Sequence, residues 1–111
     1  MNFQQRDLVL LPVPFSDQSS RKVRPAIIVS NNKLNTSSED LLLVPITSVL
    51  IEKSFSVLIT QESLAEGKLL VVSRARADKI FPAEKTVIKM KIGSIKPEVL
   101  SSIRKEVMNA L

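Results

Sequence analysis

Val23-Arg24-Pro25-Ala26-Ile27-Ile28-Val29-Ser30-Asn31 is the stretch on which the reading of the chain turns. Ala26-Ile27-Ile28-Val29 is a continuous apolar run with three β-branched residues, the composition of a strand buried on both faces. Proline lacks an N–H and has a pinned φ, so Pro25 suits the first residue of such a strand and not its middle. Arg24 then stands where a polar loop, residues 16–22, meets rigid backbone. A guanidinium at that junction is held in place, as a phosphate site requires. The same position also suits an ion pair with a nearby carboxylate.

Upstream, Asp7-Leu8-Val9-Leu10-Leu11-Pro12-Val13-Pro14-Phe15 reads as a buried strand over residues 8–11, with Pro12 and Pro14 loosening it into an edge or bulge. Residues 16–22 form a polar loop with a basic tail, Arg21-Lys22, expected to be mobile. Downstream, residues 31–40 are rich in Asn and Ser and read as a second loop. Leu41-Leu42-Leu43-Val44-Pro45-Ile46-Thr47-Ser48 is a third strand whose far end Pro45 demotes to an edge or bulge. Residues 55–60 alternate in part, as a strand with one wet face does. Residues 62–67 suit a helical turn ended by Gly67. Residues 69–76 read as a strand or strand plus turn, 78–82 as a short strand, and 86–92 as a strand placing Lys89 and Lys91 on one face.

The period then changes. Pro97 suits a first helical position with Glu98 beside it. Val99, Leu100, Ile103, Val107, Met108 and Leu111 recur at helical spacing, predicting an amphipathic helix whose stripe is core. Six or seven short strands followed by one helix make a mainly β fold, a small bent sheet or barrel with a C-terminal helix packed on it. One domain over residues 1–111 is expected, without repeats or linkers.

Composition narrows the chemistry. Of 111 residues, 44% are hydrophobic and 24% charged, which is ordinary for a globular chain. The chain has no cysteine and no histidine. Disulfide frameworks, thiolate metal sites, zinc chemistry and histidine-based acid–base mechanisms are therefore excluded, and no metal or other cofactor is expected. The net charge of +5 suggests an anionic partner such as nucleic acid or an acidic protein. No apolar run reaches a membrane span and Asn2-Phe3-Gln4-Gln5 is no secretory start, so no membrane partner and a cytoplasmic location are expected.

Taken in order, several motifs resemble the PemK/MazF family of toxin–antitoxin endoribonucleases. They are Arg6-Asp7-Leu8-Val9-Leu10 before Pro12-Val13-Pro14-Phe15, then Val23 to Ser30, then Val44-Pro45-Ile46-Thr47-Ser48. Ser73 through Arg76-Ala77-Asp78-Lys79-Ile80 and the closing Lys91-Ile92-Gly93 complete the set. The resemblance implies an SH3-like barrel of the CcdB/PemK type, usually a homodimer. It implies metal-independent, sequence-specific cleavage of single-stranded RNA at short motifs and inhibition by an acidic cognate antitoxin of the MazE/PemI kind. The family's functional positions are an Arg before the Pro of the second strand, a Thr or Ser after the third, and an Arg-x-Asp. They fall here on Arg24, Thr47 with Ser48 beside it, and Arg76-Ala77-Asp78. Arg6 stands where the family usually has Gly, the loop of residues 16–22 has no Gly, and the chain has no Trp or Tyr. Base stacking is then left to Phe15, Phe81 or arginine planes.

Metal-free RNA cleavage uses the ribose 2′-OH as nucleophile and needs charge stabilisation on the phosphorane oxygens. Arg24 suits that task with its planar, permanently charged fork, and the Thr47 hydroxyl can both donate and accept. Asp78 is either a general base, which neighbouring arginines oppose, or the partner that orients Arg76. Arg21, Lys22, Ser48, Arg74 and Lys79 are candidate RNA contacts. Arg74, two residues from Arg76, shares its face if the strand runs straight, and the register between the two stays open. Two other readings remain: a non-catalytic CcdB-like gyrase-binding toxin, or an inactive homologue that keeps RNA or antitoxin binding.

Overall fold

In a computed structural model that describes residues 2–13, 22–51 and 54–111, β2 (Val23–Ile28) runs between β1 (Asp7–Pro12) and β3 (Asp40–Thr47), antiparallel to both. Pro25 is not the first residue of β2, as its chemistry suggested, but its third. The register explains the tolerance. Val23, Arg24 and Pro25 pair with β1, whereas pairing to β3 begins at Ala26. This half of β2 is an edge on its β3 side, a setting that accepts a missing N–H.

After β2 the chain makes a short helix α1 (Asn32–Ser37), then β3, β4 (Ser56–Ile59), β5 (Leu64–Gly67), β6 (Ser73–Arg76), β7 (Phe81–Glu84), β8 (Met90–Ile95) and the helix α2 (Pro97–Ala110). Single 3-10 turns lie at Gln61–Ser63, Ala77–Lys79 and Lys85–Val87. The strand order is β4-β6-β3-β2-β1-β8-β5, with β7 also paired to β3. The result is a curled, mainly β half-barrel closed by a C-terminal helix, the expected fold class.

β3 makes the curl. Its residues 40–43 pair with β7, and Ile46 and Thr47 pair with β6. Pro45 falls where β3 changes partner, so the far end of the strand is not the loose edge its proline suggested. Side-chain alternation sends Val9, Leu11, Ala26, Ile28, Leu41 and Leu43 to one face, where Phe81 covers them. It sends Leu8, Ile27, Val44, Ile46, Ala75 and Ile95 to the other, against Leu100 and Ile103 of α2. Each Leu or Ile fully removed from water contributes about 1.5–3 kcal/mol, so both faces of the strands at the centre of the sheet are anchored.

Other local expectations shift. Residues 31–40, expected as loop, contain α1, which Asn31 caps by accepting the Leu34 N–H at 2.9 Å. Asn35 is buried and satisfied by Ser30, to whose carbonyl it donates at 2.9 Å. Polar composition alone hid a helix whose polar groups serve as caps and ties. Gly67 ends a strand, not a helical turn. Residues 69–72 lie outside any strand, and Leu70 is 92% exposed. Residues 86–89 precede β8, and Lys91 is held by buried Asp7 (Nζ–Oδ1 3.1 Å). Leu100 and Ile103 of α2 are core, but Met108 near its end and Leu111 just after it are exposed.

Arg6 has φ +83°, in the region that favours glycine. Its N–H donates to the Ile28 carbonyl at 2.8 Å, its carbonyl accepts from Ile95 N–H at 2.9 Å, and its Nη1 donates to the Ile95 carbonyl at 3.0 Å. Those bonds to β2 and β8 hold an arginine in a backbone conformation that costs a non-glycine residue roughly 1–2 kcal/mol.

Candidate active site

Arg24 and Thr47 come from adjacent strands. Pairing between them ends at Ala26 and Pro45, and Arg24 and Thr47 each lie two residues beyond that pair, one on each strand. Both residues continue the face that carries Ala26, Ile28, Leu41 and Leu43, past the point where apolar side chains give way to polar ones. On its other side Thr47 pairs with Arg74, and Arg76 pairs with Ser56 of β4. Ala75 between them is buried on the opposite face. Alternation therefore puts Arg74 and Arg76 on the same face as Thr47, and the two arginines are not alternatives.

A pocket of about 280 Å³ opens there, lined by Val13, Arg24, Pro45, Ile46, Thr47, Val49, Arg76 and Lys79. Beside it lies a hollow of about 160 Å³ lined by Thr47, Val49, Ile51, Arg74 and Arg76. Thr47, Val49 and Arg76 belong to both walls, so the two spaces form one trough.

Local bonds set each side chain. The Thr47 Oγ1 accepts the Val49 N–H at 3.2 Å in the turn after β3, which leaves the hydroxyl proton to donate elsewhere. Asp78 lies in the 3-10 turn immediately after β6 and reaches back to Arg76. Arg76 Nε donates to Oδ1 at 2.9 Å and Nη2 to Oδ2 at 2.8 Å. This two-point bond holds the Asp78 carboxyl below its usual range against the opposing effect of burial, and the charges of Arg76 and Lys79 add lesser contributions to the lowering. The same bond raises Arg76. Arg74 donates from Nε to Ser56 Oγ at 3.0 Å. The trough thus presents Arg24, Arg74, Arg76, Lys79 and a hydroxyl donor, a surface that can hold phosphate oxygens and stabilise charge developing on them.

Of the residues selected from sequence, Arg24, Thr47, Arg74, Arg76 and Lys79 line the trough, and Asp78 stands behind Arg76. Ser48 is exposed in the bend after β3 and borders neither space; Lys22 is exposed just before β2. Arg21 and Phe15 lie outside the described residues. Phe81 is 3% exposed inside the core, so it cannot stack on a base. Sequence reasoning missed Ser56, Val49 and Ile51. The partial alternation of residues 55–60 was the available signal for Ser56, but its meaning depends on β4 pairing with β6. Among the described residues no three His, Cys, Asp or Glu side chains gather as a metal site, and no helix is long and apolar enough to cross a membrane.

Residues 4–111 match the family model of the PemK-like, MazF-like toxins of type II toxin–antitoxin systems. The chain belongs to that family. No curated protein matches it significantly. Among solved structures, this PemK/MazF-family chain is similar to MazF from Deinococcus radiodurans, with 19% identity, 98% of this chain and 96% of the other covered, and a TM-score of 0.78. It is similar to an endoribonuclease in complex with its cognate antitoxin from a mycobacterial species, with 18% identity, coverage of 96% and 92%, and a TM-score of 0.76. The Mycobacterium tuberculosis toxin MazF-mt6 gives 16% identity, 95% coverage of each chain and a TM-score of 0.76. At these identities the likeness carries the fold, which in this toxin-family chain is the half-barrel with its helix.

Proposed function

We propose that this PemK/MazF-family toxin is a metal-independent endoribonuclease that cleaves single-stranded RNA, and that Arg24, Thr47 and Arg76 carry the reaction. The observation that supports this most is the convergence of those three side chains, with Lys79, on one pocket. The ribose 2′-oxygen attacks the adjacent phosphorus and its proton leaves to solvent. The P–O5′ bond then breaks, and the 5′-oxygen takes a proton from water. The products are a 2′,3′-cyclic phosphate and a 5′-OH. Arg24 and Arg76 stabilise the phosphorane oxygens, and the free proton of Thr47 bonds a phosphate or ribose oxygen. Asp78 orients Arg76; its lowered carboxyl pKa argues against its serving as base. Arg74 and Lys79 bind the RNA. The mycobacterial endoribonuclease solved with its cognate antitoxin supports such a partner for this chain, the basic lining of the trough favours an acidic one that occupies it, and the family resemblance supports a cytoplasmic homodimer.

The test is digestion of a long single-stranded RNA in EDTA, with the ends mapped. Discrete cuts leaving cyclic phosphate and 5′-OH are expected, together with their loss in Arg24→Ala. Loss of an electrostatic donor of this kind costs on the order of 3–4 kcal/mol of barrier. Wild-type cutting by Arg24→Ala would remove it from the site. No cutting of any RNA by folded protein would favour the gyrase-binding or inactive-binder reading. Sedimentation should give twice the 12.3 kDa chain mass.

A further inference from the structure

Arg74 is held differently from Arg76. Both the Nε and one terminal nitrogen of Arg76 are taken by Asp78. Arg74 is held only through Nε, by Ser56 Oγ at 3.0 Å, and among the described residues no carboxylate forms an ion pair with it. Its two terminal nitrogens therefore keep a planar pair of donors in a fixed orientation. The hollow beside it has apolar walls, Val49 (54% exposed) and Ile51 (70% exposed). Such walls suit the flat, apolar face of a base better than a strongly hydrated phosphate. At about 160 Å³ the hollow is of a size for a nucleobase.

We infer that this hollow is a nucleobase subsite selecting a base with two adjacent hydrogen-bond acceptors, and that Ser56 is the positioning residue that aims Arg74 at it. The inference rests on the endoribonuclease reading, because it assigns the base to the nucleotide beside the scissile phosphate through the shared Thr47 and Arg76. Guanine offers N7 and O6 as adjacent acceptors, and unpaired cytosine offers N3 and O2. Adenine sets its amino donor between N1 and N7 and has no second acceptor beside N3, and uracil sets its N3–H between two carbonyls, so neither matches the arginine fork.

The experiment is cleavage of a random-sequence single-stranded RNA pool, with the 5′-OH ends sequenced, by wild type, Arg74→Gln, Arg74→Lys, Ser56→Ala and Ser56→Thr. One position next to the cut should carry guanine or cytosine with roughly ten- to hundredfold preference; which base dominates tells the two apart. Arg74→Gln and Arg74→Lys should flatten that position alone. Ser56→Ala should weaken it, and Ser56→Thr, which keeps the hydroxyl, should restore it. Adenine or uracil at that position, an unchanged preference in the Arg74 variants, or equal slowing at every site would overturn the inference. Equal slowing would mark Arg74 as a phosphate contact. Equilibrium binding of short oligonucleotides differing in that base separates the two readings. A base preference in binding that Arg74→Gln abolishes, without any cutting, keeps the subsite and rejects the nuclease. Cutting without base preference does the reverse, and neither binding nor cutting rejects both.

Discussion

Thr47 is a small test of whether the trough is organised by hydrogen bonding or by shape. Its Oγ1 accepts the Val49 N–H, so Thr47→Ala removes a pre-aimed proton while freeing a backbone donor at an exposed turn. Cleavage should fall about tenfold to a hundredfold, since positioning errors near a reacting group cost that much. Thr47→Ser should retain most of the rate. Equal loss in both variants would assign the methyl group, and not the hydroxyl, the leading part. Asp78 is a test of acid–base chemistry. Its folded pKa is depressed by the Arg76 bond, so its stabilising contribution is present above the unfolded value of about 3.9 and lost as pH falls through the folded value. The pair is exposed enough that this contribution is about 0–1 kcal/mol. From about pH 5 upward the carboxylate is fully charged, so the rate profile should show no inflection from it, and no histidine supplies one near neutrality. Asp78→Asn should slow cleavage with Tm nearly unchanged. An inflection near neutrality that disappears in Asp78→Asn would make Asp78 the base after all.

At the level of strands and helices, the site and the far edge of the sheet are separable. β5 and β8 approach so closely at Gly93 that an added Cβ would lie 2.5 Å from the Glu66 carbonyl oxygen and 3.3 Å from the Gly67 Cα. Both neighbours are backbone, so the strands themselves must move. Gly93→Ala should destabilise by about 1–3 kcal/mol, lowering Tm by roughly 4–8 °C per kcal/mol. Because β5 and β8 lie at the opposite end of the strand order from β6, the rate of RNA cleavage well below Tm should stay near wild type. Calorimetry beside an activity assay checks both halves. The elements with a repeating pattern were legible beforehand: β1, β2, β3 and α2 follow from apolar runs and one change of period. α1 was not, since Asn and Ser at its start and end signal a loop until their bonds to Leu34, Ser30 and Asn32 are seen. Of the strand or strand plus turn expected over residues 69–76, only Ser73–Arg76 is strand, and Leu70, Val71 and Val72 are apolar yet face solvent.

For the molecule as a whole, the net charge of +5 gains meaning from where the cations gather. RNA binding should weaken with salt, with a log–log slope of about −0.7 for each phosphate neutralised. Arg24→Ala should make that slope shallower by about one phosphate. An unchanged slope in titrations across a salt series would place Arg24 away from the backbone. Composition, strand patterning, the proline positions and the order of motifs were properties of the chain itself. They determined a mainly β fold with a terminal helix and the absence of histidine chemistry, while the resemblance of the ordered motifs to the PemK/MazF family singled out Arg24, Thr47, Arg76 and Asp78 as the residues to examine. Local sequence carries that much because strand and helix periods are short-range and residue chemistry is fixed. Which residues meet was settled by folding. The switch of β3 from β7 to β6 brings Arg74 beside Thr47, and the β4–β6 pairing gives Arg74 its Ser56. Those contacts join residues up to 27 positions apart through long-range registers, and no local pattern encodes a register until both strands are in place.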